Sequence, residues 1–405
     1  MKAKITFHAT ITVLSPLHIG NGDTLREGFD FIEKDGYLWI ADQRKLLHSI
    51  WADAEGPDQE EDVSIDGILS LTLQEMFDAG WLRPEYFDLS KGLFKYRLRG
   101  ETSTREKRGV LLPFIKTIYG QPYLPGSSLK GALRTGLAWW FTNRTQPEIR
   151  LTKPRGRDIR QDAHIFYLGN RAKSAAKDAE SKLFGQDPNH DLLRFLIVRD
   201  SVPLSNHALC LGTTHLIPDT DSRDRLTIDM EFLGPGTEIH QTMLLDTFLL
   251  EDPRTHDLLR YLHDAHNRKR WLRNLAKTMQ NYTRRRLVDE IQWFQKHRGP
   301  REAIRLFHTM ANQILDEQLQ PNEFFIQLGW GAGWDSKTLD GELRKDAKLF
   351  TDIVNQFQLH KGPQRLQGAF MPGEDFPRTR KVATLKYCGS SNLPLGWVKV
   401  RLEEV

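Results

Sequence analysis

Residues 329–338 read GWGAGWDSKT. Three glycines alternate with other residues and lead into a lysine and a threonine, the residue types of a phosphate-binding loop. Such a loop, G-x-x-x-x-G-K-[ST], wraps phosphate oxygens in backbone N–H groups while its lysine supplies charge. Aligned on Lys337 and Thr338, the first glycine falls on Gly331, but the second position holds Ser336. No apolar strand ending in aspartate follows to hold magnesium, so nucleotide hydrolysis is not expected. Gly331 and Gly333 behind a strand, with Lys337 beside them, can instead set N–H groups against a nucleic-acid phosphate. A tight turn that buries Trp330 and Trp334 is the plainer alternative.

Two other stretches carry suitable polar groups. YLPGSSLKGALRTGL, 123–137, sets a Pro-Gly turn with Ser127 and Ser128 at a helix start, where unpaired N–H groups attract anions. Lys130 and Arg134 lie four residues apart on one face. The alternative there is capping by a serine beside two solvated cations. SPLHIGNGD, 15–23, presents His18, Gly20 and Asp23 in one loop. His18 and Asp23 are the residue types of an acid–base pair for RNA cleavage. A loop histidine among glycines is more often a hydrogen-bonding or RNA-contacting group.

The elements that position these residues follow from periodicity. Ile5, Phe7, Ala9, Ile11 and Val13 alternate with Thr6, His8, Thr10 and Thr12, a strand with one buried face that Ser15-Pro16 ends. FDFIEKDGYLWIAD, 29–42, predicts a hairpin turning at Asp35-Gly36. From residue 126 to 141 the period becomes helical, with Leu129, Ala132, Leu133, Leu137, Trp140 and Phe141 on one face and a serine available as N-cap. LLRFLIVRDS, 192–201, returns to strand. RLTIDMEFLGPGTEIHQTMLL, 225–245, predicts a hairpin joined at Gly234-Pro235-Gly236. Residues 254–318 have a continuously helical pattern, and strand-like pieces close the chain.

Charge is unevenly placed. The 405 residues carry a net charge of only +4, with 39% hydrophobic and 27% charged residues, an ordinary globular balance. Residues 53–66 hold seven acids and no base, the pattern of a solvated loop. Residues 144–173 set eight Lys or Arg against three acids, net +5, the pattern of a mobile insertion. Residues 254–305 set fourteen, Arg284, Arg285 and Arg286 among them, against five acids, net +9. Phosphate contact is the economical reading of that excess. Cys210 and Cys388, far apart, predict neither a disulfide framework nor a metal site. No signal peptide or membrane span is read, and a reducing, cytoplasmic setting is expected. The length allows two or three domains, and a boundary near 220 is expected. That gives units 1–220, with the basic insertion at about 144–173, and 221–405, with the helical insertion at about 254–318 and the glycine loop at 329–338. Each half mixes sheet and helix, an α+β arrangement.

Taken in order, SPLHIGNGD, YLPGSSLKGALRTGL, SKLFGQ (181–186) with LIVRDS, and LGWGAGWDSKT with LPLGWVKV resemble the RAMP superfamily of CRISPR proteins. The resemblance spans both halves and is nearest to the fifth-subunit family of type III-A (Csm) effector complexes. It implies α+β, tandem ferredoxin-like (RRM-like) RAMP domains with helical insertions. It also implies a subunit that caps a filament of RAMP subunits near the crRNA 3′ end and supports crRNA maturation and complex assembly in antiviral defence. The implied partners are crRNA and target RNA, the filament RAMP subunit, the small subunit and host nucleases. No cofactor, metal or membrane is implied, and no catalytic role. The residues expected to contact RNA are His18, Gly20, Ser127, Ser128, Lys130, Arg134, Arg284, Arg285, Arg286, Gly331, Gly333 and Lys337. The alternative is a RAMP endoribonuclease acting on crRNA or target RNA through His18 or Asp23; Asp30 also lies where the filament subunit of such complexes carries its catalytic aspartate.

Overall fold

The computed structural model describes residues 4–54, 67, 70–103, 109–153, 162, 164–169, 171, 174–218, 227–252, 269–270, 272–316, 318–334, 336, 339–360, 368–385 and 387–405. Alternation over the first segment forms β1 (Ile5–Val13), its Ala9, Ile11 and Val13 buried. After the short β2 (Leu25–Arg26), β3 (Phe31–Lys34) and β4 (Tyr37–Ala41) form the expected hairpin. Asp35 and Gly36 both take positive φ, which matches strand twist across a two-residue turn. Helices α1 (Gln43–Ala54) and α2 (Leu73–Asp78) precede β5 (Phe94–Arg99), which pairs with β4, and a separate small core of Ile32, Trp39, Leu46, Met76 and Phe94 joins them. The acidic run at 55–66 lies outside the described residues.

β6 (Val110–Leu112) leads to α3 (Gly126–Thr145). Leu129, Leu133, Leu137 and Phe141 of α3 sink into the main core with Ala9 and Ile11 of β1. Neither serine caps it. Pro125 is the N-cap, and the Asp200 carboxylate accepts the Gly126 N–H at 2.8 Å, placing a fixed negative charge at the helix start. Part of the basic stretch expected to be a mobile insertion is ordered, because β7 (Glu148–Arg150) and β8 (Ile165–Tyr167) pair in parallel; residues 154–161 lie outside the described residues. Helix α4 (Lys177–Phe184) follows. The strand expected over 192–201 shortens to β9 (Leu196–Val198), since Asp191 caps a tight helical turn, Leu192–Phe195, in front of it.

The next strands are β10 (Leu209–Pro218), β11 (Thr227–Leu233) and β12 (Glu238–Leu245), then α5 (Thr247–Glu251). The helical region is not continuous. Gly299-Pro300 separates α6 (Leu275–Lys296) from α7 (Arg301–Leu315), and residues 253–268 lie outside the described residues. β13 (Glu323–Gln327), α8 (Asp340–Leu343), α9 (Ala347–Gln356), β14 (Thr379–Leu385), β15 (Ser390–Pro394) and β16 (Trp397–Glu404) complete the chain.

Two sheets organise these strands. The first, all antiparallel, runs β13-β16-β1-β12-β9; the second runs β15-β14-β10-β11-β6-β2. The hairpin expected over 225–245 does not form. β11 pairs with β10 and β6 in the second sheet while β12 pairs with β1 and β9 in the first, so Gly234-Pro235-Gly236 carries the chain from one sheet to the other. Alternation signals a strand but not its partner, and the eight-residue register with β1 outcompetes the local one. Each sheet draws strands from both sides of residue 220, so a cut there does not separate them. Pairing of β10 with β14 brings Cys210 to Cys388, and the two are joined as a disulfide, Cα–Cα 6.5 Å, across a sequence separation of 178 that concealed their proximity.

β11 carries the most demanding group in the fold. Glu231 is 0% exposed. Its carboxylate accepts the Tyr96 hydroxyl at 2.6 Å and the Phe114 N–H at 2.7 Å, and pairs with the Lys116 ammonium, which also sits 4.7 Å from the Tyr96 ring centre. The phenol is pushed far above its ordinary pKa by burial and then by the Glu231 charge, so it remains a donor. Glu231→Ala strands the Lys116 charge and the two other donors. It is expected to cost about 3–5 kcal/mol, read as a lower midpoint in chemical denaturation.

Candidate nucleic-acid interface

Three segments from distant parts of the sequence, together with Leu112 and Pro113, wall one groove of about 620 Å³. The loop after β1 supplies His18, Gly20 and Asp23, the start of α3 supplies Ser127 and Ser128, and the loop after β13 supplies Gly329, Trp330, Ala332 and Ser336. The residues singled out in SPLHIGNGD and PGSS therefore meet the glycine loop, which lies 311 positions beyond His18 and 202 beyond Ser127 in sequence.

His18 lies at the base, 2% exposed. Its Nδ1 is 2.7 Å from the Glu231 carbonyl oxygen, which only accepts, so Nδ1 carries the proton. Burial drops the ring to a pKa of about 4; the Glu231 hydrogen bond opposes that shift and the nearby Lys116 charge adds to it. The imidazole is neutral at pH 7, with Nε2 unprotonated. Phe114, Phe232 and Trp330 meet it edge-on. Asp23 is exposed in a turn in which its N–H bonds the Asn21 side chain at 3.0 Å.

The glycine loop is a clamp. The Trp330 N–H donates to the His18 carbonyl at 2.8 Å. Gly329, at φ +73°, lies so close that a Cβ would stand 2.3 Å from that carbonyl oxygen; at Gly331, φ +87°, it would meet Leu395 at 2.4 Å. Both positions need glycine for packing alone. Ser336, where a phosphate-binding loop has glycine, is buried with its hydroxyl donating to the Ala332 carbonyl at 2.7 Å. Trp330 packs beside Met230, Phe232 and Leu385, and Trp334 lies edge-on to Phe376. Gly333 is exposed, and Lys337 lies outside the described residues.

The cations are elsewhere. Arg134 Nη1 bonds Asp191 at 2.6 Å and its guanidinium covers Phe184 at 3.9 Å; Lys130 is half-buried, its pKa lowered by burial against the opposing pull of Asp191. Neither is the freely solvated cation of the plainer reading, and neither lines the groove, where RNA contact was expected of them. The face of α3 turned to the groove carries Ser127, Ser128, Gly131, Ala132 and Thr135. Among the described lining residues, Asp23 is the one acidic side chain and none is Lys or Arg. Arg284 and Arg285 are exposed on α6, Arg285 3.2 Å from Asp289. Arg286, one step round the helix, is buried, bonded to Glu290 together with Arg380 and 3.2 Å from the Gln327 amide oxygen behind the groove wall. It is a structural cation, which a run of three arginines in sequence does not reveal. Gln327 and Thr135 escaped the sequence reading, and Trp330 was read only as a residue packed by the turn; small residues spaced four apart from 127 and 128 were the available signal. No group of three or more His, Cys, Asp or Glu able to hold a metal occurs among the described residues.

The profile of the RAMP superfamily matches residues 10–334, and the chain belongs to that superfamily. A Methanocaldococcus jannaschii protein described as CRISPR system Cms protein Csm5 is 24% identical over 99% of this chain and 90% of its own. A Mycobacterium tuberculosis protein of the same description is 25% identical over 82% of each. In fold the chain resembles one from a Csm–crRNA–target RNA ternary complex of a type III-A CRISPR-Cas system, at TM-score 0.65 and 21% identity over 98% of this chain and all of that one. It also resembles T. onnurineus Csm5, at TM-score 0.59 and 20% identity over 96% and 99%. The architecture is the α+β, tandem ferredoxin-like RAMP fold with helical insertions.

Two measurements check this geometry. Gly329→Ala is expected to cost roughly 3 kcal/mol, from backbone strain plus collision, whereas Gly22→Ala, also at positive φ but with open space around it, costs only about 1 kcal/mol; urea denaturation compares them. Between pH 6.5 and 4 the unfolded chain protonates His18 and the folded chain does not. Stability therefore falls as pH drops, by about 3 kcal/mol from this residue at pH 4, and His18→Phe removes that part of the pH dependence.

Proposed function

We propose that the chain is a crRNA-binding subunit of a type III-A (Csm) effector complex, placed at the end of the RAMP filament near the crRNA 3′ end and needed for crRNA maturation and assembly. The observation that carries this reading is the convergence of the three motif segments on one groove, in a chain whose full-length relatives are described as Csm5. Its partners are then crRNA, target RNA, the filament and small subunits and the nucleases that trim crRNA, all in the cytoplasm. Exposed Arg284 and Arg285 supply phosphate contacts at the periphery, and the groove holds the strand.

The role is that of a binder. A general base works best with a pKa near the working pH, and His18 near 4 accepts a hydrogen bond but is a weak proton acceptor. Asp23 and Asp30 carry no further support for cleavage. Co-expression with the other subunits should retain this chain in the purified complex and yield crRNA of defined 3′ length, while omitting it should alter those ends. Release of bound RNA should be steeply salt-dependent, and neutralising Arg284 and Arg285 together should flatten the log–log slope by up to about 1.4, at about 0.7 per single-strand contact. Cleavage of crRNA by the purified chain, abolished by His18→Ala, would replace this reading with the endoribonuclease one.

A further inference from the structure

We propose that the groove selects ribose: Nε2 of His18 accepts a hydrogen bond from a 2′-hydroxyl of the bound strand. The inference rests on the RNA-binding reading of the groove and names the group that the groove recognises.

The first support is the direction of the imidazole. With Nδ1 committed to the Glu231 carbonyl, the other ring nitrogen is an acceptor, and it has no hydrogen-bond donor among the described residues. The residue is only 2% exposed, yet Nε2 is not a fully enclosed unpaired atom, so a donor that enters the groove can reach it. The acceptor belongs to a residue lining the groove.

The second is Gly20. Its φ is not positive, so its backbone is open to any residue. A Cβ there would stand 3.0 Å from His18 Nε2. The missing methyl therefore has one visible effect, which is to leave that nitrogen approachable.

The third is the character of the walls. Ser127, Ser128, Gly131, Ala132 and Thr135 are small and neutral, and no described lining residue is a cation. This is poorly suited to gripping phosphate and well suited to the sugar edge of a strand whose phosphates are neutralised elsewhere. DNA presents the same phosphates and lacks the donor. A site built to pair a hydroxyl rejects the analogue without it, because its own acceptor is left bare.

The test uses the full-length chain and labelled single strands of one sequence: RNA, its 2′-O-methyl form, and DNA with deoxyuridine for thymidine, compared by anisotropy at one salt concentration. Wild type is expected to prefer RNA to both analogues by about tenfold, the effect of one lost hydrogen bond. His18→Phe should lower RNA affinity by about that factor, leave DNA affinity unchanged and abolish the preference. Gly20→Ala, which keeps the imidazole and its Glu231 bond, should act in the same direction, and it serves if His18→Phe misfolds in thermal melts. Equal losses for RNA and DNA in both variants would reduce His18 to a structural residue. Equal wild-type affinity for RNA and DNA, or a preference that follows base sequence and ignores the 2′ substituent, overturns the inference while leaving RNA binding intact. Failure to bind any of the three strands removes the underlying reading itself.

Discussion

A carboxylate at zero exposure must be neutralised and hydrogen-bonded from every side, and the groove is assembled around how Glu231 meets that demand. Tyr96 reaches it from β5, the Phe114 N–H and Lys116 from the segment between β6 and α3. Its own carbonyl takes the His18 Nδ1–H, so one residue of β11 adds side-chain bonds to stretches that main-chain pairing, Gly20 with Phe114 and Leu17 with Leu233, already brings together. The His18 carbonyl in turn holds Trp330 and thereby the glycine loop. The tautomer of His18 is set by the Glu231 main-chain carbonyl, and its neutral state chiefly by burial, with the Lys116 charge adding to it.

The outcome is a groove with little charge of its own. Phosphate attraction is long-ranged and indifferent to geometry, whereas a buried acceptor and small, neutral walls discriminate shape and donors. On the proposed reading, the chain keeps the two tasks on different surfaces. Arg284 and Arg285 face solvent on α6, while Arg134 and Arg286 are paired internally, with Asp191 and Glu290. Arg286 acts on the groove indirectly, through its contact with the Gln327 side chain in the wall.

Local signals were faithful where one segment decides its own structure. Strict alternation made β1, Asp35-Gly36 made a turn, and the apolar face of residues 126–141 made a helix that buries Leu129, Leu133, Leu137 and Phe141. They failed where partners compete. GPG between two alternating runs has the look of a hairpin, yet β12 reached a longer register with β1 and β11 crossed to the other sheet. Serine beside a helix start has the look of a cap, yet Asp200 arrived from 74 residues away to take the Gly126 N–H. The glycines of 329–333 were legible as special; that two of them are demanded by His18 and Leu395 was not.

Sequence by itself determined the α+β class, most strand and helix identities, and the three motifs that wall the groove, because periodicity, turn chemistry and residue type act within a few positions. Tertiary structure decided which strands share a sheet, that Cys210 meets Cys388, which arginines are buried, and that the His18 ring is neutral with its Nδ1 held by the Glu231 carbonyl. Each of those depends on groups tens to hundreds of residues apart. Burial, desolvation and charge pairing are properties of the neighbours that folding supplies, and no local pattern encodes them.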